Sequence, residues 1–178
     1  YVSGHSDVSG HNDSVMSVAV SADCSKVVSG GCNSTVKIWD AESGTKLHTL
    51  SHSDTVFSVN VSADGKKVVT GSSDYTVKVW DAESGAELNT LSGHIILGRA
   101  VAVSADGSKI VAGSGDSTVK IWNAESGTKL HTLSGHSGWV SSVTMSADGK
   151  KVVSGGCDSI VKIWDAESGA ELHTLSGH

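Results

Sequence analysis

Histidine is the residue type in this chain with the most chemistry to offer, and it recurs at a fixed interval. His11, His52, His94 and His136 stand 41, 42 and 42 residues apart, and each is followed 28 residues later by a tryptophan: Trp39, Trp80, Trp122 and Trp164. Between histidine and tryptophan lie a hydroxyl and an acid, Thr70 and Asp74 in the second copy, Ser154 and Asp158 in the fourth. A hydroxyl, an imidazole and a carboxylate held together are the parts of an activated nucleophile, in which the acid orients the base and the base takes the proton. The same set copied along the chain with an indole attached reads better as a structural network, because a buried polar group needs a partner wherever it sits. The first copy has His11, Ser29 and Trp39 but Asn33 in the acid's position. The third has His94, Asp116 and Trp122 but Ala112 in the hydroxyl's position. These two copies are expected to be weaker than the complete ones, and no catalytic role is assigned to any of them.

Other chemistries are poorly supported. His48 and His52 lie four apart, and His131 and His136, like His173 and His178, five apart; none of these spacings is a metal motif, so neither a metal nor another cofactor is expected. The first histidine of each pair falls on the last strand of a copy, where a solvent edge is expected. Cys24, Cys32 and Cys157 are odd in number and show no CxxC spacing, which points to free thiols and favours a reducing, cytoplasmic setting. Thirteen Lys and Arg against nineteen Asp and Glu give a net charge of −6, without the basic excess that a nucleic-acid partner requires. The apolar runs are far shorter than the ~20 residues of a membrane span, and no signal peptide is visible, so no membrane association is expected. Asn12, Asn33 and Asn60 head Asn-x-Ser/Thr triplets, which matter only in a secreted protein.

The repeat dictates the elements that hold these residues. Within the first copy a strand at 15–20 leads to Ser-Ala-Asp-Cys, where the other copies carry the Ser-Ala-Asp-Gly of a hairpin turn. A second strand at 26–29, a third at 35–39, the Ala-Glu-Ser-Gly turn at 41–44 and a fourth strand at 46–50 complete the unit. No 3.6-residue period is sustained anywhere, so the fold is all-β. The expected divisions are a lead at 1–9 and repeats at 10–51, 52–92, 93–134 and 135–178. One four-stranded sheet cannot bury both its faces alone, so the copies must stack, and radial stacking gives a β-propeller of four-stranded antiparallel blades, four per chain.

The LSGH…SADG…VKIWD series resembles the WD-repeat (Trp-Asp) propeller family over residues 10–178. The resemblance implies that the histidine, hydroxyl, acid and tryptophan of each copy form a buried structural network. It also implies a non-enzymatic scaffold that binds peptides or protein domains at the end of the blades where the first strand begins. There the copies differ most: Met16, Phe57, Leu97 with Arg99, and Trp139 are the candidate partner-binding residues, with Cys32, Ser73, Gly115 and Cys157 in neighbouring turns. Exposed Trp, Phe and Arg are hot-spot types, although packing between blades would equally account for Trp139 and Phe57. Residues 95–99, Ile-Ile-Leu-Gly-Arg, depart furthest from the pattern.

Family members usually close with more than four blades. The ten residues Tyr1–Gly10 supply no strand to clasp the last blade, so two chains head to tail, completing an eight-bladed homodimeric ring, are expected. The fourth strands begin alternately with Lys46, Glu87, Lys129 and Glu171, an alternation that an even ring preserves. A piece of a longer array and a closed four-bladed monomer are the competing arrangements. The near-identity of the copies also admits an engineered or amplified propeller that assembles but has no selected ligand.

Overall fold

A computed structural model describes residues 10–91 and 98–177; the lead at 1–9, His94, Leu97 and the side chain of Arg99 lie outside the described residues. The chain forms strands β1 (Val15–Val20), β2 (Lys26–Gly31), β3 (Thr35–Asp40), β4 (Lys46–Ser51), β5 (Val56–Val61), β6 (Lys67–Ser72), β7 (Val77–Asp81), β8 (Glu87–Leu91), β9 (Gly98–Val103), β10 (Lys109–Ser114), β11 (Thr118–Asn123), β12 (Lys129–Ser134), β13 (Val140–Met145), β14 (Lys151–Gly156), β15 (Val161–Asp165) and β16 (Glu171–Leu175). They make four four-stranded sheets in sequence order, β1 to β4 through β13 to β16. The fold is therefore all-β, a β-propeller arrangement of four antiparallel blades, with no helix among the described residues.

Local chemistry sets the hairpins. Gly65, Gly107 and Gly149 close the first turn of their blades at φ of 67°, 68° and 67°, a left-handed conformation that glycine adopts without steric penalty. Cys24 is held at φ 57° in the same place in blade one, where a Cβ makes that conformation strained. β-Branched residues then fill the strands, because their stiff side chains suit a pleated surface. A bulge recurs where the first strand enters each sheet, between Val15 and Ser17, Val56 and Ser58, and Val140 and Ser142.

Each blade has two different apolar faces. Val28, Val36, Ile38 and Leu50 of blade one meet Val56, Val59, Val68 and Trp80 of blade two in a single core. The same match joins Val69, Val77, Val79 and Leu91 to Val101, Ile110 and Trp122, and Val111, Val119, Ile121 and Leu133 to Val140, Val143, Val152 and Trp164. The tryptophan face of one blade thus always lies on the aliphatic face of the preceding blade. Among the described residues the two terminal faces have no such cover: Val18 is 68% exposed where its counterpart Val59 is 5%, and Leu175 is 48% exposed where Leu133 is 3%.

Polar contacts tie neighbouring blades as well. The Val59 and Val101 amides donate to Ser17 and Ser58 Oγ of the preceding blade, both at 3.1 Å. His48 and His131 were expected at a solvent edge; their Nε2 atoms instead bond the Glu83 and Glu167 carbonyls of the next blade at 2.7 and 2.8 Å. Asn89 takes their place in blade two, donating to the Ala124 and Glu125 carbonyls at 3.1 and 3.0 Å. The charge alternation acts within blades rather than between them, since Glu87 pairs with Lys78 at 2.9 Å and Glu171 with Lys162 at 2.8 Å. It therefore carries no argument about ring size.

The tightest approach between blades is at glycine. A Cβ on Gly113 would lie 2.6 Å from Val140 Cγ1 and 3.1 Å from the Val140 carbonyl oxygen. Gly113→Ala is expected to push blades three and four apart and to destabilise the chain by about 1–3 kcal/mol, as overpacked cores do. Thermal or urea denaturation checks this, and an unchanged midpoint would contradict it.

Candidate functional site

In blades two and four the histidine precedes the first strand, the hydroxyl lies on the second, the acid in the following turn and the tryptophan on the third, so only the folded hairpins bring them together. In blade two Trp80 Nε1 donates to Thr70 Oγ1 at 2.9 Å, Thr70 Oγ1 lies 2.7 Å from His52 Nε2, and His52 Nδ1 lies 2.8 Å from Asp74 Oδ2. Blade four repeats the chain through Trp164, Ser154, His136 and Asp158 at 2.8, 2.8 and 2.9 Å. With a neutral imidazole every link is satisfied: the indole N–H donates to the hydroxyl oxygen, the hydroxyl O–H to Nε2, and the Nδ1–H to the carboxylate. The Ser53 and Ser137 amides add a further bond to Asp74 and Asp158 at 3.0 and 2.9 Å.

Blade one keeps the geometry with a weaker acceptor. Trp39 donates to Ser29 at 2.9 Å, Ser29 meets His11 Nε2 at 2.7 Å, and His11 Nδ1 meets the Asn33 amide oxygen at 3.1 Å. In blade three Asp116 is bound by Lys120 Nζ at 2.7 Å and Thr118 Oγ1 at 2.5 Å; His94 lies outside the described residues. Lys37, the blade-one counterpart of Lys120, is equally buried, but among the described residues it has no carboxylate, because Asn33 replaces the acid. Sequence reasoning missed Thr35, Thr76 and Thr118, which bond the acid position from two residues further on. Their regular spacing after Asn33, Asp74 and Asp116 was the available signal.

Burial opposes charge on both sides of the pair. It holds the His52 imidazole below its ordinary 6.5, against the raising effect of Asp74. Burial also works against the Asp74 carboxylate, but hydrogen bonds from Thr76, the Ser53 amide and His52 outweigh it and bring the group down to about 2. Nucleophilic chemistry has no access here: Thr70 and Ser154 are completely buried, and each oxygen already receives an indole N–H. Among the described residues no group of three or more His, Cys, Asp or Glu is placed to hold a metal ion.

Among the described residues, the candidate partner-binding residues Met16, Phe57 and Trp139 lie where the first strands enter their blades. The Cys32, Ser73 and Cys157 amides bond the Ser14, Thr55 and Trp139 carbonyls at 2.9, 2.9 and 2.8 Å, so the turns after the second strands border the entries to the first strands. Met16 and Trp139 are 45% and 47% exposed there, while Phe57 is half-buried. Leu97 and the Arg99 side chain, the third copy's contribution, lie outside the described residues.

Two outcomes follow from the network. His136→Ala should strand Ser154 and Asp158 and lower stability by about 1–3 kcal/mol; an unchanged melting temperature would remove the structural role. Acid should destabilise the chain, because the folded form holds protons on His52 and Asp74 less avidly than the unfolded form. Their contribution is complete above pH 6.5, falls as His52 is forced to take a proton, and falls again between pH 3.8 and about 2 through Asp74. The stability difference between the chain and its His52→Gln variant should therefore be smaller at pH 5 than at pH 7.5 in urea titrations.

Comparison with known proteins agrees with this geometry. The pattern of the WD domain, G-beta repeat, matches residues 3–40, 44–81, 85–123 and 127–165. A stretch of 36 residues is 58% identical to the vegetative incompatibility protein HET-E-1 of Podospora anserina, which amounts to 20% of this chain and 3% of that protein. The solved structure of U3-55K superimposes with a TM-score of 0.87 at 27% identity, over 95% of this chain and 54% of that one. The chain thus spans about half the length of that structure and a small part of HET-E-1. The match of all four repeats, with the third-strand tryptophans of blades one, two and four donating to buried hydroxyls, places this chain in the WD-repeat family of β-propellers.

Proposed function

We propose that this chain is a non-enzymatic protein-interaction scaffold that binds peptides or protein domains at the end where its first strands begin. One contrast carries the reading: the hydroxyls beside the histidines are sealed inside the blades, whereas Met16 and Trp139, which differ from copy to copy, stand about half exposed at a common end. Large apolar side chains that a fold leaves in water, rimmed by polar residues, mark interaction sites. WD-repeat propellers are in general interaction scaffolds, which supports the same reading. Phe57, Leu97 and Arg99 complete the proposed surface.

The ring is proposed to close as an eight-bladed homodimer, head to tail. The uncovered terminal faces support this, as does the superposition of all four blades on little more than half of a longer propeller chain. The near-identity of the repeated SADGKKVV and WDAESGAEL strings favours a second reading, an amplified or engineered ring that assembles without a selected ligand. A Trp139→Ala/Arg99→Ala double variant separates the two. A scaffold should lose a specific partner retained by the parent chain while keeping its melting temperature; a ring without a ligand retains no specific partner in either form. Turnover of a small substrate by rigorously purified protein would overturn both.

A further inference from the structure

Resting on the reading of an incomplete ring, we propose that the blade-four face of one chain binds the blade-one face of a second copy in the register by which blade one binds blade two. The observation behind this is that the contacts between blades one and two recur, residue type for residue type, as unused partners on the two terminal faces.

Blade one offers blade two three polar groups: Ser17 Oγ to the Val59 amide at 3.1 Å, His48 Nε2 to the Glu83 carbonyl at 2.7 Å, and Lys26 Nζ to the Glu83 carboxylate at 3.8 Å. Ser142, His173 and Lys151 occupy the same positions in blade four, and in blade one the Val18 amide is the matching donor and the Glu42 carbonyl and carboxylate are the matching acceptors. The other junctions are less complete. Blade two has Asn89 in the histidine's position, and blade three has Ala100, which has no hydroxyl, in the position of Ser17. The terminal faces therefore preserve a set that two internal junctions have lost.

Shape agrees with this pairing. A Cβ on Gly85 would touch the His48 ring at 2.9 Å and one on Gly169 the His131 ring at 2.9 Å, whereas one on Gly44, the blade-one equivalent, meets nothing within 4 Å. A Cβ on Gly30 would strike Val56 and Val59 of the next blade at 2.6 and 2.9 Å, whereas one on Gly155, its blade-four equivalent, finds only Ser142 of its own blade at 4.0 Å. The seats for His173 and for Val15 and Val18 are built and vacant. Exposed Val15, Val18 and Leu175 supply the apolar area that drives association, and the Lys151 and Glu42 pairing, worth little by itself at a surface, favours the parallel register.

One cysteine makes the register measurable. Ser21, Ser62 and Ser104 place their Cβ atoms 3.6, 3.6 and 3.8 Å from the Cβ position of the turn glycine in the next blade. In the proposed junction the same pair is Ser146 and Cys24, an exposed free thiol, at a spacing a disulfide spans, about 3.5–4.5 Å between Cβ atoms.

The test is Ser146→Cys in a chain also carrying Cys32→Ser and Cys157→Ser, treated with diamide, which oxidises two thiols to one disulfide. The expected result is a covalent dimer on non-reducing electrophoresis, reversed by dithiothreitol and abolished by adding Cys24→Ser. Gly155→Ala provides a second measure. It should leave the melting temperature of dilute, dissociated chain unchanged and weaken the dimer at least tenfold in sedimentation. A chain of dimeric mass by light scattering, twice 18.1 kDa, that fails to cross-link would overturn this register and leave the closed ring standing. A monomeric mass at micromolar concentration would overturn both, and a disulfide formed within a single chain would show instead that blade four closes on its own blade one.

Discussion

The stacking of unlike faces is the constraint on which everything else in this molecule depends. A four-stranded sheet of this composition is apolar on both sides, and it becomes stable only when its tryptophan face meets an aliphatic face and its aliphatic face meets a tryptophan. Among the described residues three such meetings form, and each buries valines, an aliphatic layer and one indole. Because the two faces differ, the stacking has a direction: each blade presents one kind of face to the blade before it and the other kind to the blade after it. Val18 and Leu175 show that direction, since among the described residues each is far more exposed than its counterpart inside the stack.

The polar network serves that packing. By running from indole to hydroxyl to imidazole to carboxylate, it lets four polar side chains sit inside a blade with every donor and acceptor used. In blade two burial disfavours the charged form of the His52 imidazole, and several hydrogen bonds converging on Asp74 favour its ionised form. The arrangement that resembles a catalytic set on paper is thereby closed to substrates. The proposed recognition surface is the rim, where Met16 and Trp139 differ from their counterparts in the other copies and stand about half exposed.

The turns and strands were legible in the residues, since Asp-Gly and Ser-Gly punctuation and runs such as Thr35-Val36-Lys37-Ile38-Trp39 act over a few residues. The network was legible too, because its members keep constant spacing and all lie within one copy. The roles of His48, Asn89 and Ser17 were not: each bonds an atom in the next blade, and a period says where a residue recurs without saying which copy its side chain touches. The same limit misdirected the reading of the Lys46, Glu87, Lys129 and Glu171 alternation, whose acids turn inward to Lys78 and Lys162 of their own blades.

Sequence alone therefore determined the repeated unit, its four strands, its turns and the histidine, hydroxyl, acid and tryptophan of the network, because each of these depends on local conformational preference and fixed spacing. Only the tertiary structure decided which faces meet, which histidines bridge blades and which surfaces stay open. Those outcomes depend on side chains from different copies reaching the same place, and distance along the chain does not encode that.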